Sequence, residues 1–333
     1  MDKRSFLKFG IAAGTAGFSI GAAAKSNFKF KYAHNAPTDH PLHIHAARAC
    51  EKIAQRTNNA VQIDVFPNNQ LSGDTEMLSQ LRAGAIQFQT LSTLILSNVV
   101  PSSSISGVGF AFKNYDEVWA AMDGKLGGLI RADIEKAGLV PMEKMYDNGF
   151  RQITNNVKPI VTARDLEGLK IRVPVSPMWL SLFKSLGAAP TSINWSDTYV
   201  ALQTKVVDGQ ENPLGFINLA KLYEVQQFCS KSNHMWDGMW FLANGKAWAS
   251  MPEDLRKVCA DAFNEEAIAQ RKTNENLNNN TEQTLRGKGL KFNDVDVASF
   301  KAQLRSSGFY ADWKEKFPKE IWAAFESATG ATS

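Results

Sequence analysis

The residues of this chain best suited to recognition chemistry are two arginines set in extended segments. Gly168-Leu169-Lys170-Ile171-Arg172-Val173-Pro174 puts a guanidinium near the end of a short strand, just before a proline and a helical stretch. Open α/β sheets bind ligands outside the carboxyl ends of their strands. The planar fork of an arginine matches a carboxylate with two parallel N–H donors. Arg151, in Gly149-Phe150-Arg151-Gln152-Ile153-Thr154-Asn155, is a second guanidinium inside an otherwise strand-like run. Asp208-Gly209-Gln210-Glu211-Asn212-Pro213 follows an extended Val206-Val207 pair and sets three polar side chains at a turn. A single arginine of this kind more often pairs with a surface Asp or Glu, so each segment alone says little. Other constellations are weaker. His43 and His45 point to different faces of a helix, and no Cys or acidic ligand pattern joins them or His34 and His40, so no metal is expected. Gly107-Val108-Gly109 lacks the third glycine and the following helix of a dinucleotide loop. The one G-x-S-x-G match, Gly17-Phe18-Ser19-Ile20-Gly21, falls in the apolar N-terminal run rather than between a strand and a helix, no H-E-x-x-H is present, and neither an enzyme nor a cofactor is expected.

The elements around these residues read as an alternation of strand and helix. Phe28–His34 alternates as a strand; Thr38 and Asp39 offer caps, and Pro41 opens a helix. Strand Val61–Phe66, helix Asp74–Ala83 stopped by Gly84, and strand Ala85–Thr90 follow, which implies parallel βαβ units. Downstream, Leu139–Tyr146, Gly149–Thr154, Leu169–Val173 and Val206–Gln210 read as extended. Ser176–Leu186, Trp195–Thr204, the long Leu255–Arg286, Ser299–Ser306 and Lys314–Ser327 read as helices. The fold class expected is α/β, in two lobes that the chain crosses several times.

Residues 1–24 combine Lys3, Arg4 and Lys8 with an apolar run from Phe9 and a small-residue end, Ala22-Ala23-Ala24, the pattern of a cleaved signal peptide. Lys3-Arg4 resembles a twin-arginine signal with one arginine replaced, so the export route stays open. Removing the leader takes three cations and one anion, and the net charge falls from +4 to +2. That balance, without a basic stripe or tail, excludes a nucleic-acid partner. Hydrophobic residues make up 44% of the chain, enough for substantial cores, and no other stretch could span a bilayer. The mature chain is therefore expected in the periplasm, as a monomer with no stable membrane insertion. Cys50, Cys229 and Cys259 read as buried small residues, with one disulfide an open alternative.

In this order, Arg151 within GFRxITN, Arg172 within LKIRVP, Gly187-Ala188-Ala189-Pro190, and Ala201-Leu202-Gln203-Thr204 leading into DGQENP resemble the solute-binding subunits of TRAP (tripartite ATP-independent periplasmic) transporters, the DctP-type family. Pro67-Asn68-Asn69-Gln70-Leu71-Ser72-Gly73 and Leu81-Arg82-Ala83-Gly84 extend the likeness, with Ser72 where a glycine is usual. The resemblance covers residues from about 28 to 327. It implies a two-lobed periplasmic-binding-protein-like receptor with a hinge and a long connecting helix. Residues 25–148 plus 237–276 are expected in lobe I, and 149–236 plus 277–333 in lobe II. It implies Arg172 as the carboxylate clamp, joined by Arg151 and Asn212, with Trp195 as a wall of the cleft. Asn212, where metal-bridging members carry an aromatic residue, speaks against a metal. Ser92 and Thr93, where sialic-acid binders carry an acidic residue, speak against that ligand. His34 and Asn35 close the first strand, and Phe216 and Trp236 add aromatic walls beside Tyr32, Trp179 and Trp240. The expected ligand is a small organic acid handed to TRAP membrane subunits: an aromatic or short 2-oxo or 2-hydroxy acid by preference, a uronate or other sugar acid as the alternative. A secreted enzyme acting on small acids is the contrasting class.

Overall fold

The computed structural model describes residues 28–330, so the leader reading of residues 1–24 lies outside them. Twelve strands form two mixed sheets: β1 (Phe28–Ala33), β2 (Val61–Phe66), β3 (Phe88–Ser92), β4 (Leu139–Pro141), β5 (Tyr146–Phe150), β6 (Gln152–Asn155), β7 (Lys170–Val173), β8 (Ala189–Ser192), β9 (Gly209–Asn212), β10 (Phe228–Lys231), β11 (Trp236–Asn244) and β12 (Lys291–Asp294). The first sheet runs β2-β1-β3-β11-β4, with β5 also paired to β11; the second runs β12-β10-β6-β9-β7-β8.

The first sheet begins as the sequence suggests. β1 pairs in parallel with β2 and β3. The intervening helix Pro41–Arg56 is started by His40, whose side chain accepts from the Leu42 amide. It buries Leu42, His45, Ala46, Ala49, Cys50 and Ile53, a stripe at helical spacing. β11 then inserts antiparallel between β3 and β4, and all nine of its residues are buried. Such a strand is covered on both faces, so its sequence WDGMWFLAN runs apolar without alternation.

The chain passes between the sheets at Arg151, between β5 and β6, and again at residues 232–235, between β10 and β11. The 35-residue helix Glu253–Gly287 lies along both halves. Earlier on it packs against Pro41–Arg56 and β5, and it also packs on the helix Leu214–Leu219. Gln270 exchanges two hydrogen bonds with the Asp147 backbone, and Asn274 donates to the Asp147 carboxylate and the Asn148 carbonyl. Gly149, beside this seam, has φ of +120°, and a Cβ there would sit 2.7 Å from Asn278 Nδ2. Only glycine fits that backbone at that approach.

Two local expectations change. Leu139–Tyr146 is not one strand: it breaks after Pro141, and β5 starts afresh at Tyr146. Lys314–Ser327 is not one helix. Pro318 cannot continue the backbone ladder, and helices Phe309–Lys316 and Lys319–Thr329 meet there. The last helix packs back on the helices Tyr115–Met122 and Lys125–Lys136. The three cysteines are buried and unpaired. No helix among the described residues is long and apolar enough to cross a membrane.

Candidate functional site

On β7, Ile171 and Val173 are fully buried. Arg172 between them projects to the opposite face, as strand alternation requires. Its Nε donates to the Ile193 carbonyl at 2.9 Å, the only hydrogen bond its side chain makes among the described residues. The fork is thus oriented while its two terminal nitrogens stay unengaged, although the residue is only 2% exposed. Burial pulls the guanidinium down to about 10, with Arg151 adding to this and Glu211, Asp74 and Asp197 opposing it. The Trp195 ring lies 5.8 Å from its Cζ and meets Phe216 edge to face.

Arg151 differs. Its Nε and Nη2 hold both Glu211 carboxylate oxygens at 2.5 and 2.8 Å, and its Nη1 donates to Asp237 Oδ2 at 3.0 Å. Nη2 also reaches the Glu211 carbonyl and Asn212 Oδ1. A guanidinium has five N–H groups; here one on Nη1 remains. Glu211 stays below the usual carboxylate range although burial opposes it, because Arg151 and His234 outweigh the burial. Asp237 is raised by burial, against the Arg151 charge and the hydrogen bonds from Ser92 and Asn148. Asp237 lies on β11 of the first sheet and Glu211 on β9 of the second, so Arg151 ties the two halves at their crossing.

Between the halves lies a tight cavity, with about 20 Å³ of room for the centres of water-sized molecules. Of the residues singled out in the sequence, Asn35, Ser92, Arg151, Arg172, Trp195, Asn212 and Phe216 line it. Its lips are closed: Asn98 Nδ2 donates to the Val175 carbonyl at 2.8 Å, and Thr75 Oγ1 to Asn194 Oδ1 at 3.4 Å. Three expected contacts lie off the lining. His34 is committed on both ring nitrogens: Nδ1 accepts from the Ala36 amide, which makes Nε2 the donor to His43 Nδ1. Burial pulls its pKa down to about 3. Thr93 Oγ1 pairs with Ser106. Trp236 donates to Asp147 and packs edge to face on Trp119 and Phe112 in the core.

The lining also holds Asp74, Asn148, Trp179 and Asp237, which the sequence reading left out of the site. Asp74 read only as the start of a helix. Trp179 was visible as one of several aromatic residues near the cleft. Three buried polar atoms of lining residues have no partner: Asn35 Oδ1, Asn148 Oδ1 and Trp179 Nε1. No cluster of three or more His, Cys, Asp or Glu able to hold a metal occurs among the described residues.

A closed cavity between two α/β halves, walled by aromatic rings and holding one unengaged guanidinium, defines a hinged receptor for a small acid. Residues 32–313 match the family model for bacterial extracellular solute-binding protein, family 7 (DctP), and the chain belongs to this family of TRAP solute receptors, which are not enzymes. It is 30% identical over 272 residues to the 2,3-diketo-L-gulonate-binding periplasmic protein YiaO of Escherichia coli, covering 82% of each chain. It is similar to a TRAP periplasmic solute-binding protein from Polaromonas sp. JS666 bound to D-erythronate, with a TM-score of 0.86, 28% identity, and 91% and 99% of the two chains covered. A second such receptor, from Sulfurospirillum deleyianum with bound succinate, gives 0.84, 26%, and 92% and 99%. The family binds small organic acids and works with TRAP membrane subunits.

Proposed function

We propose that this chain is a periplasmic receptor for a small hydroxylated carboxylate, which it holds in the closed cavity and delivers to TRAP membrane subunits. The observation that carries this is the pairing of one unengaged, buried guanidinium with three buried polar atoms that lack partners around the same cavity. A buried donor or acceptor left unsatisfied costs about 1–3 kcal/mol, so a ligand that completes Asn35 Oδ1, Asn148 Oδ1 and Trp179 Nε1 binds this form selectively. The two amide oxygens require O–H or N–H donors, and the indole requires an acceptor. Hydroxyl groups supply both. An aromatic ring supplies neither, which turns the preference from aromatic acids to hydroxy and sugar acids. The D-erythronate bound by the Polaromonas relative is an acid of this kind.

In this reading the carboxylate takes the Arg172 fork, with the remaining Nη1–H of Arg151 and the Asn212 amide beside it. Asn35, Ser92 and Asn148 come from the first half of the chain, and Arg172, Trp195 and Asn212 from the second. A ligand touching both sets binds the closed state better than the open one and shifts the population toward closure. A thermal-shift and calorimetric screen of matched acids tests the proposal. Stabilisation by hydroxylated acids of three to six carbons, without turnover, is expected. Stabilisation by benzoate- or phenylacetate-type acids alone, or turnover of the bound acid, contradicts it.

A further inference from the structure

The cavity has a negative pole as well as a positive one. Asp74, at the first turn of the helix Asp74–Ala83, is 2% exposed and lines the same space as Arg172. Its Oδ2 accepts from Asn35 Nδ2 at 3.1 Å and its Oδ1 from Asn69 Nδ2 at 3.3 Å. It forms no salt bridge with any Lys, Arg or His among the described residues. The other lining carboxylate, Asp237, is by contrast neutralised by Arg151. The lining therefore offers one guanidinium with free terminal nitrogens and one carboxylate in no salt bridge among the described residues, contributed by the two different halves of the molecule and near enough to feel each other's charge.

We infer that Asp74 is a charge filter, which accepts a ligand hydroxyl and rejects a second carboxylate, so that the receptor takes hydroxylated monocarboxylates and discriminates against dicarboxylates. This rests on the reading of Arg172 as the carboxylate anchor. A monoacid seated on Arg172 presents its hydroxyls toward Asp74, whose carboxylate oxygens have lone pairs beyond those used by Asn35 and Asn69. A diacid of the same skeleton brings a second anion toward a buried anion, where like charges are weakly screened. Asn148 Oδ1 and Asn35 Oδ1 add no positive charge to offset it. Trp179 contributes one neutral N–H.

The test uses three matched pairs of increasing length: glycerate with tartronate, erythronate with tartrate, and gluconate with glucarate. Titration calorimetry gives the affinity of each for the wild-type chain and for Asp74→Asn, an isosteric change that keeps the side chain's size. The wild type is expected to favour the monoacid of its best-fitting pair by about a hundredfold or more. Asp74→Asn is expected to narrow that ratio to within about tenfold, mainly by tighter diacid binding. Thermal unfolding of the variant reports whether it is folded, and the wild-type ratio stands as evidence even if it is not. Equal binding of both members by the wild type overturns the filter, as does an unchanged ratio in a folded variant. If no acid of any pair binds the wild type, the receptor reading of the cavity falls, and the filter with it.

Discussion

Arg172 and Arg151 are both buried and both line the cavity, yet the structure gives them opposite consequences when removed. Arg172→Ala deletes a fork whose terminal nitrogens have no protein partner. A carboxylate seated there makes two charge-assisted bonds, each worth about 1.5–3 kcal/mol, so the loss is about 3–6 kcal/mol. At 1.4 kcal/mol per decade this is an affinity loss of roughly a hundredfold to ten-thousandfold. The unliganded fold loses little, because folding already disfavours this charge, as its fall to about 10 shows. Stability within about 1 kcal/mol of wild type is expected. Arg151→Ala instead strands Glu211 and Asp237, both 0% exposed, without their cation. Breaking a buried pair from one side costs about 3–5 kcal/mol. Urea denaturation of the unliganded proteins and titration of the best acid found in the screen separate the two. The reasoning is refuted if Arg172→Ala keeps affinity within about threefold, or if the two variants lose stability alike.

Two further outcomes follow from the seam between the halves. Gly149→Ala forces a side chain into φ of +120° against Asn278 and Pro213; a loss of about 1–3 kcal/mol on urea unfolding is expected, and an unchanged midpoint would contradict the packing described. Asp147 is buried, and burial pushes its carboxyl up from 3.8 to about 6 against the hydrogen bonds of Asn274, Trp236 and Tyr115. The folded chain then binds a proton here more tightly than the unfolded chain. This group's stabilisation is full below about pH 4 and is lost as pH rises through about 6, a swing of about 3 kcal/mol. Unfolding free energies of wild type minus Asp147→Asn, measured from pH 4 to 7, should fall by that amount; a flat difference sinks the assignment.

Seven of the ten residues singled out in the sequence line the cavity, but few of them were legible from their own segment alone. Arg172 stands at a strand end before a proline, a position that fits a surface ion pair as well as a cleft, and only the DctP-type pattern around it singles it out. The role of Arg151 was not legible, because its partners Glu211 and Asp237 lie 60 and 86 residues away, and only the sheet pairing brings them together. The same holds for Asp74, which reads as an ordinary acidic first turn until burial and Arg172 give it a purpose. Trp236 shows the converse: an aromatic beside a chain crossing can face the core, and here its indole N–H donates to the Asp147 carboxylate, away from the cavity lining. β11 escaped because a strand covered on both faces shows neither strand alternation nor helical spacing.

The position of β11 also governs how the molecule comes into being. The first sheet stays open between β3 and β4 until Trp236–Asn244 has been made, and the second waits for β12 at Lys291–Asp294. Neither half can be finished from its own contiguous stretch of chain. A fragment ending before Trp236 keeps exposed strand edges on the first sheet, and the pairings that close both sheets span long stretches of sequence. Such wiring makes folding slow and ties the two halves into one cooperative unit, so that the cleft takes shape only when nearly the whole polypeptide is present.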